Sequence, residues 1–129
     1  MRRNKKVEEN IHQMVAKYVK LQYPFVIFHS DASGLRLPIG QATAFSKLKS
    51  EKAIPDLFIA EPVGKYAGLY LEIKKDKSEV FTKGHNIRQT AHIQEQYKMI
   101  CRLNQKGYYA TFGCGFENCK EIIDKYLKN

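Results

Sequence analysis

Ile54-Pro55-Asp56-Leu57-Phe58-Ile59-Ala60 and Leu69-Tyr70-Leu71-Glu72-Ile73-Lys74 are the two stretches on which the fold turns. Between them lies Glu61-Pro62-Val63-Gly64-Lys65-Tyr66-Ala67-Gly68, rich in turn-forming residues, so two apolar runs with a turn between them predict a β-hairpin. Folded about Gly64, the hairpin pairs residues whose numbers sum to 128, which sets Phe58 opposite Tyr70 and Asp56 opposite Glu72. Opposed residues share a sheet face, and strand alternation puts Lys74 on that face as well. Two carboxylates so placed repel by about 3 kcal/mol at a surface-like dielectric, and by more where water is excluded. A hairpin with only a structural role avoids that cost, whereas one that holds a divalent cation requires it. The alternatives are an exposed acid pair with no ligand, or a register slipped by one.

Working outward, Val7 to Leu21 places Val7, Ile11, Met14, Val15, Tyr18 and Val19 at helical spacing, ending before Pro24. Pro24-Phe25-Val26-Ile27-Phe28-His29 has the pattern of a short buried strand. Ser30-Asp31-Ala32-Ser33-Gly34 is a loop by composition, and Leu35–Glu51 carries no decisive periodicity. Past the hairpin, Lys75 to Gln89 is polar and charged and reads as a surface excursion or a mobile loop. Thr90 suits the N-cap of a helix running to about Lys106 and stopped by Gly107. Tyr108–Phe112 is a further strand, and Phe116 to Leu127 a last helix with Ile122, Ile123, Tyr126 and Leu127 inward. The predicted order is α-β-β-β-α-β-α, an α/β fold with a mixed central sheet flanked by helices. The 129 residues, 43% of them hydrophobic, are expected to form one domain, residues 1–129.

Composition narrows the partners. Lys and Arg number 22 against 13 acids, a formal charge of +9, which favours a polyanion and above all nucleic acid. The cations recur as Arg2, Arg3, Lys5 and Lys6, then Lys47, Lys49 and Lys52, then Lys74, Lys75, Lys77, Lys83 and Arg88. A well-solvated basic surface is the plainer explanation. No apolar run approaches the ~20 residues of a membrane span, and the basic N-terminus leads into a charged helix rather than a signal-peptide core. Cys101, Cys114 and Cys119 form an odd set without CxxC spacing, which fits a reducing, cytoplasmic setting, with Cys101 expected to be buried as a small hydrophobe. His29, His85 and His92 lack HxxxH or HxH spacing, so zinc ligation is not expected.

Pro55-Asp56, a hairpin, then Glu72-Ile73-Lys74, within this element order, resembles the PD-(D/E)XK pattern of restriction-endonuclease-like nucleases. Two further features sharpen the resemblance. Glu8 precedes Ile11-His12 on the first helix, and Gln96 is followed by Met99, Leu103 and Gly107 before a strand and a final helix. Together these resemble the VRR-NUC (virus-type replication-repair nuclease) family, in its small stand-alone form common in phages, from about Val7 to Leu127. One departure is Lys52-Ala53-Ile54, where family members often carry Gly shortly before Pro-Asp.

The resemblance implies a Mg2+- or Mn2+-dependent DNA endonuclease. Asp56 and Glu72 would be metal ligands, joined by the backbone carbonyl of Ile73 and, in one reading, by Glu8, with Glu9 its rival. An ordinary helix-start carboxylate is the alternative role for Glu8. Lys74, on the face of the acid pair, would stabilise the reacting phosphate, or simply balance the carboxylates. Lys75 points to the other face and is expected to be solvated. Gln96 falls in an apolar stripe with Ile93, Ile100 and Leu103, so its amide is expected to be buried and in need of partners. It either orients a water or a carboxylate at the site, or ties its helix to a backbone carbonyl. Gln94, off the stripe, is expected to be exposed. Ser30, Ser33 and Gly34 read as a plain turn rather than as phosphate donors. Stand-alone members resembled here are dimeric and selective for branched DNA such as Holliday junctions, which implies a homodimer. The competing functions are a less selective phage DNA-processing nuclease and a non-catalytic basic nucleic-acid-binding module.

Overall fold

A computed structural model describes residues 2–31 and 38–128, with the side chains of residues 2–6, 42, 45 and 46 outside that description. The elements run α1 (Arg2–Gln22), β1 (Phe28–Ser30), α2 (Ile39–Ser46), β2 (Leu57–Ile59), β3 (Leu69–Lys74), a 3-10 turn (Lys77–Glu79), α3 (Ala91–Gln105), β4 (Tyr109–Cys114) and α4 (Phe116–Leu127). The sheet order is β1-β2-β3-β4; the first two pairings are antiparallel and the last is parallel. This is the mixed α/β architecture expected from the sequence, with α2 added in the stretch that lacked periodicity. No described helix is long and apolar enough to cross a membrane.

The hairpin register is the predicted one: Leu57 pairs with Leu71, Phe58 with Tyr70 and Ile59 with Leu69. Gly64 sits at φ +57 between the bridged residues Val63 and Tyr66, a left-handed conformation that favours glycine and makes the tip of the connection. Because register is fixed, the odd positions of β2 and β3 all face one way. Leu57, Ile59, Leu69, Leu71 and Ile73 pack against Ile11, Val15 and Val19 of α1 and Cys119, Ile123 and Tyr126 of α4. On the other face Ile93 and Ile100 of α3 join Val80, Ala110 and Phe112, with Tyr70 beside them. Two apolar layers therefore hold one sheet between α1 with α4 and α3. Gly113 keeps α4 close, since a Cβ there would lie 2.6 Å from Cys119 Sγ and 3.0 Å from Leu71 Cδ1.

Several expectations change. The Pro24–His29 run is not a buried strand: β1 is a three-residue edge strand, with Phe25 95% and Ile27 73% exposed. Among the described residues only β2 pairs with it. Helix α1 begins at Arg2 rather than Val7, and Val7 and Met14 stand outside its buried stripe. Lys75–Gln89 is not a plain surface loop. Its 3-10 turn is capped by Asp76, Phe81 bridges Ile87, and Val80 is wholly buried under α3. Thr90 is the N-cap of α3 but makes no side-chain capping bond. Cys101 is half-buried, and Cys119 is the cysteine that fills the core. Of the loop at Ser30–Gly34, residues 32–34 lie outside the described residues, as do 35–37 of the following stretch.

Helices α1 and α4 are joined by a polar clamp. The hydroxyls of Tyr18 and Tyr23 each donate to Asp124 Oδ1 at 2.6 Å, and Lys120 lies 3.4 Å from Oδ2. Partial burial would raise the Asp124 carboxyl, but the two hydroxyls outweigh it and hold it below its usual value. A depressed carboxylate stabilises the fold above its unfolded pKa and loses that contribution as pH falls through the folded value. Asp124→Asn should therefore cost about 1 kcal/mol at neutral pH, after allowance for solvent screening, and the difference from wild type should shrink on acidification. Urea unfolding at several pH values measures both.

Candidate metal and active site

β3 outruns β2. Its pairing with β2 ends at Leu71, while Glu72, Ile73 and Lys74 continue beside Phe112, Gly113 and Cys114 of β4. One edge of these three residues is thus left without a strand. The side chain of Asp56 fills the gap: its Oδ2 accepts the Ile73 N–H at 2.9 Å, and its own carbonyl accepts the Asp31 N–H at 2.6 Å. Pro55, which has no N–H to pair, precedes it at the point where the chain turns into β2. Asp56, Glu72 and Lys74 are all buried, at 9%, 5% and 5% exposure, far beyond the norm for charged residues.

Burial first, then the neighbouring Asp56 carboxyl, push Glu72 well above the usual carboxylate range, against the pull of Lys74. Glu8 is raised to about 7, by burial and by a hydrogen bond and charge from Glu79, with Lys74 opposing and Asp56 adding to the rise. One turn along α1, His12 Nε2 is 3.7 Å from Asp56 Oδ2. Gln96 reaches in from α3, 7% exposed, with Nε2 3.2 Å from His92 Nε2. Glu8, His12, Asp56, Glu72, Ile73, Lys74 and Gln96 line one cavity of about 390 Å3, with Lys52 and His92 at its wall.

The structure therefore brings together every residue singled out in the sequence for this centre: Asp56, Glu72, Lys74, Gln96, Ile73 and Glu8. Gln94 is half-buried rather than exposed, because its amide donates to the Arg88 carbonyl at 2.9 Å. Sequence reasoning passed over His12 and Glu79. His12 was findable: it lies three and seven residues before Val15 and Val19, inside the buried stripe, the same signal that marked Gln96. Nothing local marks Glu79, whose contact with Glu8 spans most of the chain.

A divalent cation fits this donor set. The walls of the cavity crowd Glu8, Asp56 and Glu72 around one buried ammonium, and the Nδ1 of His12 and Oε1 of Gln96 are buried there without a protein partner. Among the described residues no group of three or more His, Cys, Asp or Glu side chains is placed to hold a metal ion. Two carboxylates and a carbonyl suit instead a hard ion that retains waters, for which the unpaired ring nitrogen and amide oxygen offer hydrogen-bonding sites.

No family model matches this chain, and no curated protein matches it. Among solved structures, it is similar to one described as a VRR_NUC domain protein, at 26% identity and a TM-score of 0.62, over 95% of this chain and 88% of that one. The four-stranded mixed sheet flanked by helices in this chain is consistent with a VRR_NUC nuclease fold. The resemblance read from the motifs is thus matched in three dimensions, over nearly the whole chain, by a VRR_NUC domain protein.

The packing predicts a trade of stability for charge. In EDTA, Glu72→Gln should raise the urea midpoint, by about 1–2 kcal/mol in unfolding free energy, because the amide needs no proton to enter the buried site and offers a donor to Asp56. An unchanged or lower midpoint would show that the acid pair is not strained.

Proposed function

We propose that this chain is a divalent-metal-dependent DNA endonuclease that hydrolyses phosphodiester bonds, with residues 1–129 acting as one nuclease domain. The observation that carries the reading is the buried Asp56–Glu72 pair with Lys74 in the same cavity. Neither a basic binding module nor a structural hairpin has a use for that arrangement, and the likeness to a VRR_NUC domain protein supports it.

Asp56, Glu72 and the Ile73 carbonyl would hold Mg2+ or Mn2+, with Glu8 at the edge of its water shell. When bound, the ion supplies Lewis-acid polarisation of the phosphate and neutralises charge that grows in the transition state. The chain's own groups act around it. The Lys74 ammonium, held two residues beyond Glu72, meets the phosphoryl oxygens and offsets their growing charge. Gln96 Oε1 accepts a hydrogen bond from the attacking water and so orients it. As the water oxygen bonds to phosphorus it gives up a proton to solvent, while the bond to the 3′ oxygen breaks and that oxygen takes a proton from solvent. The products are a 3′-hydroxyl and a 5′-phosphate. His12, against Asp56, steadies the carboxylate in its rotamer.

The finer reading is a phage-type enzyme selective for branched DNA, of the Holliday-junction-resolvase kind, working as a homodimer in the cytoplasm of the host. A dyad would set two such cavities for paired cuts. The test incubates wild type, Asp56→Ala and Lys74→Ala with supercoiled, linear and four-way-junction DNA in Mg2+, Mn2+ or EDTA. Wild type should cut only with metal, and each variant should lose at least about a hundredfold in rate. Symmetric junction nicking by wild type, with a dimer by light scattering, supports selectivity. Equal cutting of all substrates supports the less selective phage nuclease, and binding without cleavage in every metal supports the non-catalytic module. Mg2+ or Mn2+ should also raise the thermal midpoint of wild type but not of Glu72→Gln.

A further inference from the structure

A second cavity, of about 580 Å3, adjoins the first and shares Ile54 and Asp56 with it. Its floor is a cross-strand row of rings. His29 pairs with Phe58 across β1–β2, and Phe58 with Tyr70 across β2–β3, so the three stand side by side on one sheet face. Phe58 and Tyr70 lie 4.5 Å apart, centroid to centroid, and Tyr108 braces both edge-on. This is the face that carries Glu72, and the row lies two residues, about 7 Å, along β3 from it. None of these rings is needed to hold an ion.

We infer that this cavity is a subsite for an unpaired nucleobase, packed against the mutually stacked Phe58–Tyr70 pair, from the nucleotide next to the phosphate held at Asp56 and Glu72. The inference rests on the nuclease reading and extends it to the form of the substrate. Three observations choose a nucleobase over other occupants. The two cavities meet at Asp56, so one polymer passes through both, phosphate in the acidic part and ring in the aromatic part. Beside the rings the lining offers the polar groups of Ser30 and of Lys49, held by Asp31 at 2.8 Å, together with Leu48, Ile54 and Pro55. The chain as a whole carries +9, which suits a polyanion rather than an apolar peptide. Aromatic faces take any base by stacking, without reading its identity. A base inside a duplex offers only its edge to the groove, so the concave floor admits one only where it has left the stack. Strands with unpaired nucleotides beside the cut, as at a junction or a flap, are therefore the substrates this surface fits.

The test measures binding in EDTA, where no cleavage occurs, by fluorescence anisotropy. The probes are a labelled thymidine strand of about twelve nucleotides and an abasic sugar-phosphate strand of the same length. Wild type should bind the base-bearing strand more tightly by about five- to a hundredfold. Phe58→Leu, which keeps an apolar side chain in place, should remove most of that preference and leave affinity for the abasic strand unchanged. His29→Ala, at an exposed position, should reduce it in part and guards against a folding defect in the first variant. Equal wild-type affinity for the two strands overturns the subsite, as does a preference that both variants retain. A base preference lost in Phe58→Leu, in a protein that cuts nothing in any divalent metal, upholds the subsite and sinks the nuclease reading. Cleavage by a wild type with no base preference does the reverse.

Discussion

The hydrogen bond from the Ile73 N–H to Asp56 Oδ2 is the point on which the rest of the site depends. It exists because β2 stops opposite Leu71 while β3 runs on for three residues, which leaves a backbone donor that must find an acceptor away from water. A carboxylate meets that need and is in turn pinned beside Glu72. Had β2 continued, a main-chain carbonyl would have taken the bond and Asp56 would stand opposite Glu72 without being tied to the Ile73 N–H. The shortness of one strand thus converts a sheet edge into an acidic cleft, and the surrounding core keeps the cleft dry enough for its charges to matter.

The same geometry explains the division of labour between the two sheet faces. Odd positions of β2 and β3 carry the large aliphatic residues onto α1 and α4, so stability is concentrated there. Even positions carry Phe58, Tyr70, Glu72 and Lys74, and α3 covers only part of that face. Chemistry is concentrated where packing is incomplete. Helix α1 belongs to both: Ile11, Val15 and Val19 seat it on the core, while Glu8 and His12 extend from its earlier turns into the cavity.

How much of this the sequence disclosed follows from the range of each signal. Strand alternation and turn residues act over a few positions, so the hairpin register, and with it the nearness of Asp56, Glu72 and Lys74, was legible from residues 54–74 alone. A polar residue inside an apolar helical stripe is equally local, which exposed Gln96 and should have exposed His12. The edge position of β1 was hidden, because Phe25 and Ile27 look like core residues and their exposure depends on what pairs beyond them. Glu79 was hidden for the same reason, as its partner is at the other end of the chain. Helix α2 left no trace because its residues alternate neither as a strand nor as an amphipathic helix. The likeness to a VRR_NUC domain protein supports the fold and a nuclease-like domain; the roles given to single residues rest on the cavity.

The clamp of Tyr18 and Tyr23 on Asp124 has a bearing on the order of events during synthesis. Helix α1 is synthesised before β3 and α4, which together make its bed. Until then Glu8 and His12 have no fixed place beside Asp56, and α3 with Gln96 has only recently appeared. The cavity that holds Asp56, Glu72 and Lys74 is accordingly completed only after α4 has been made, long after Glu8 and His12 are synthesised.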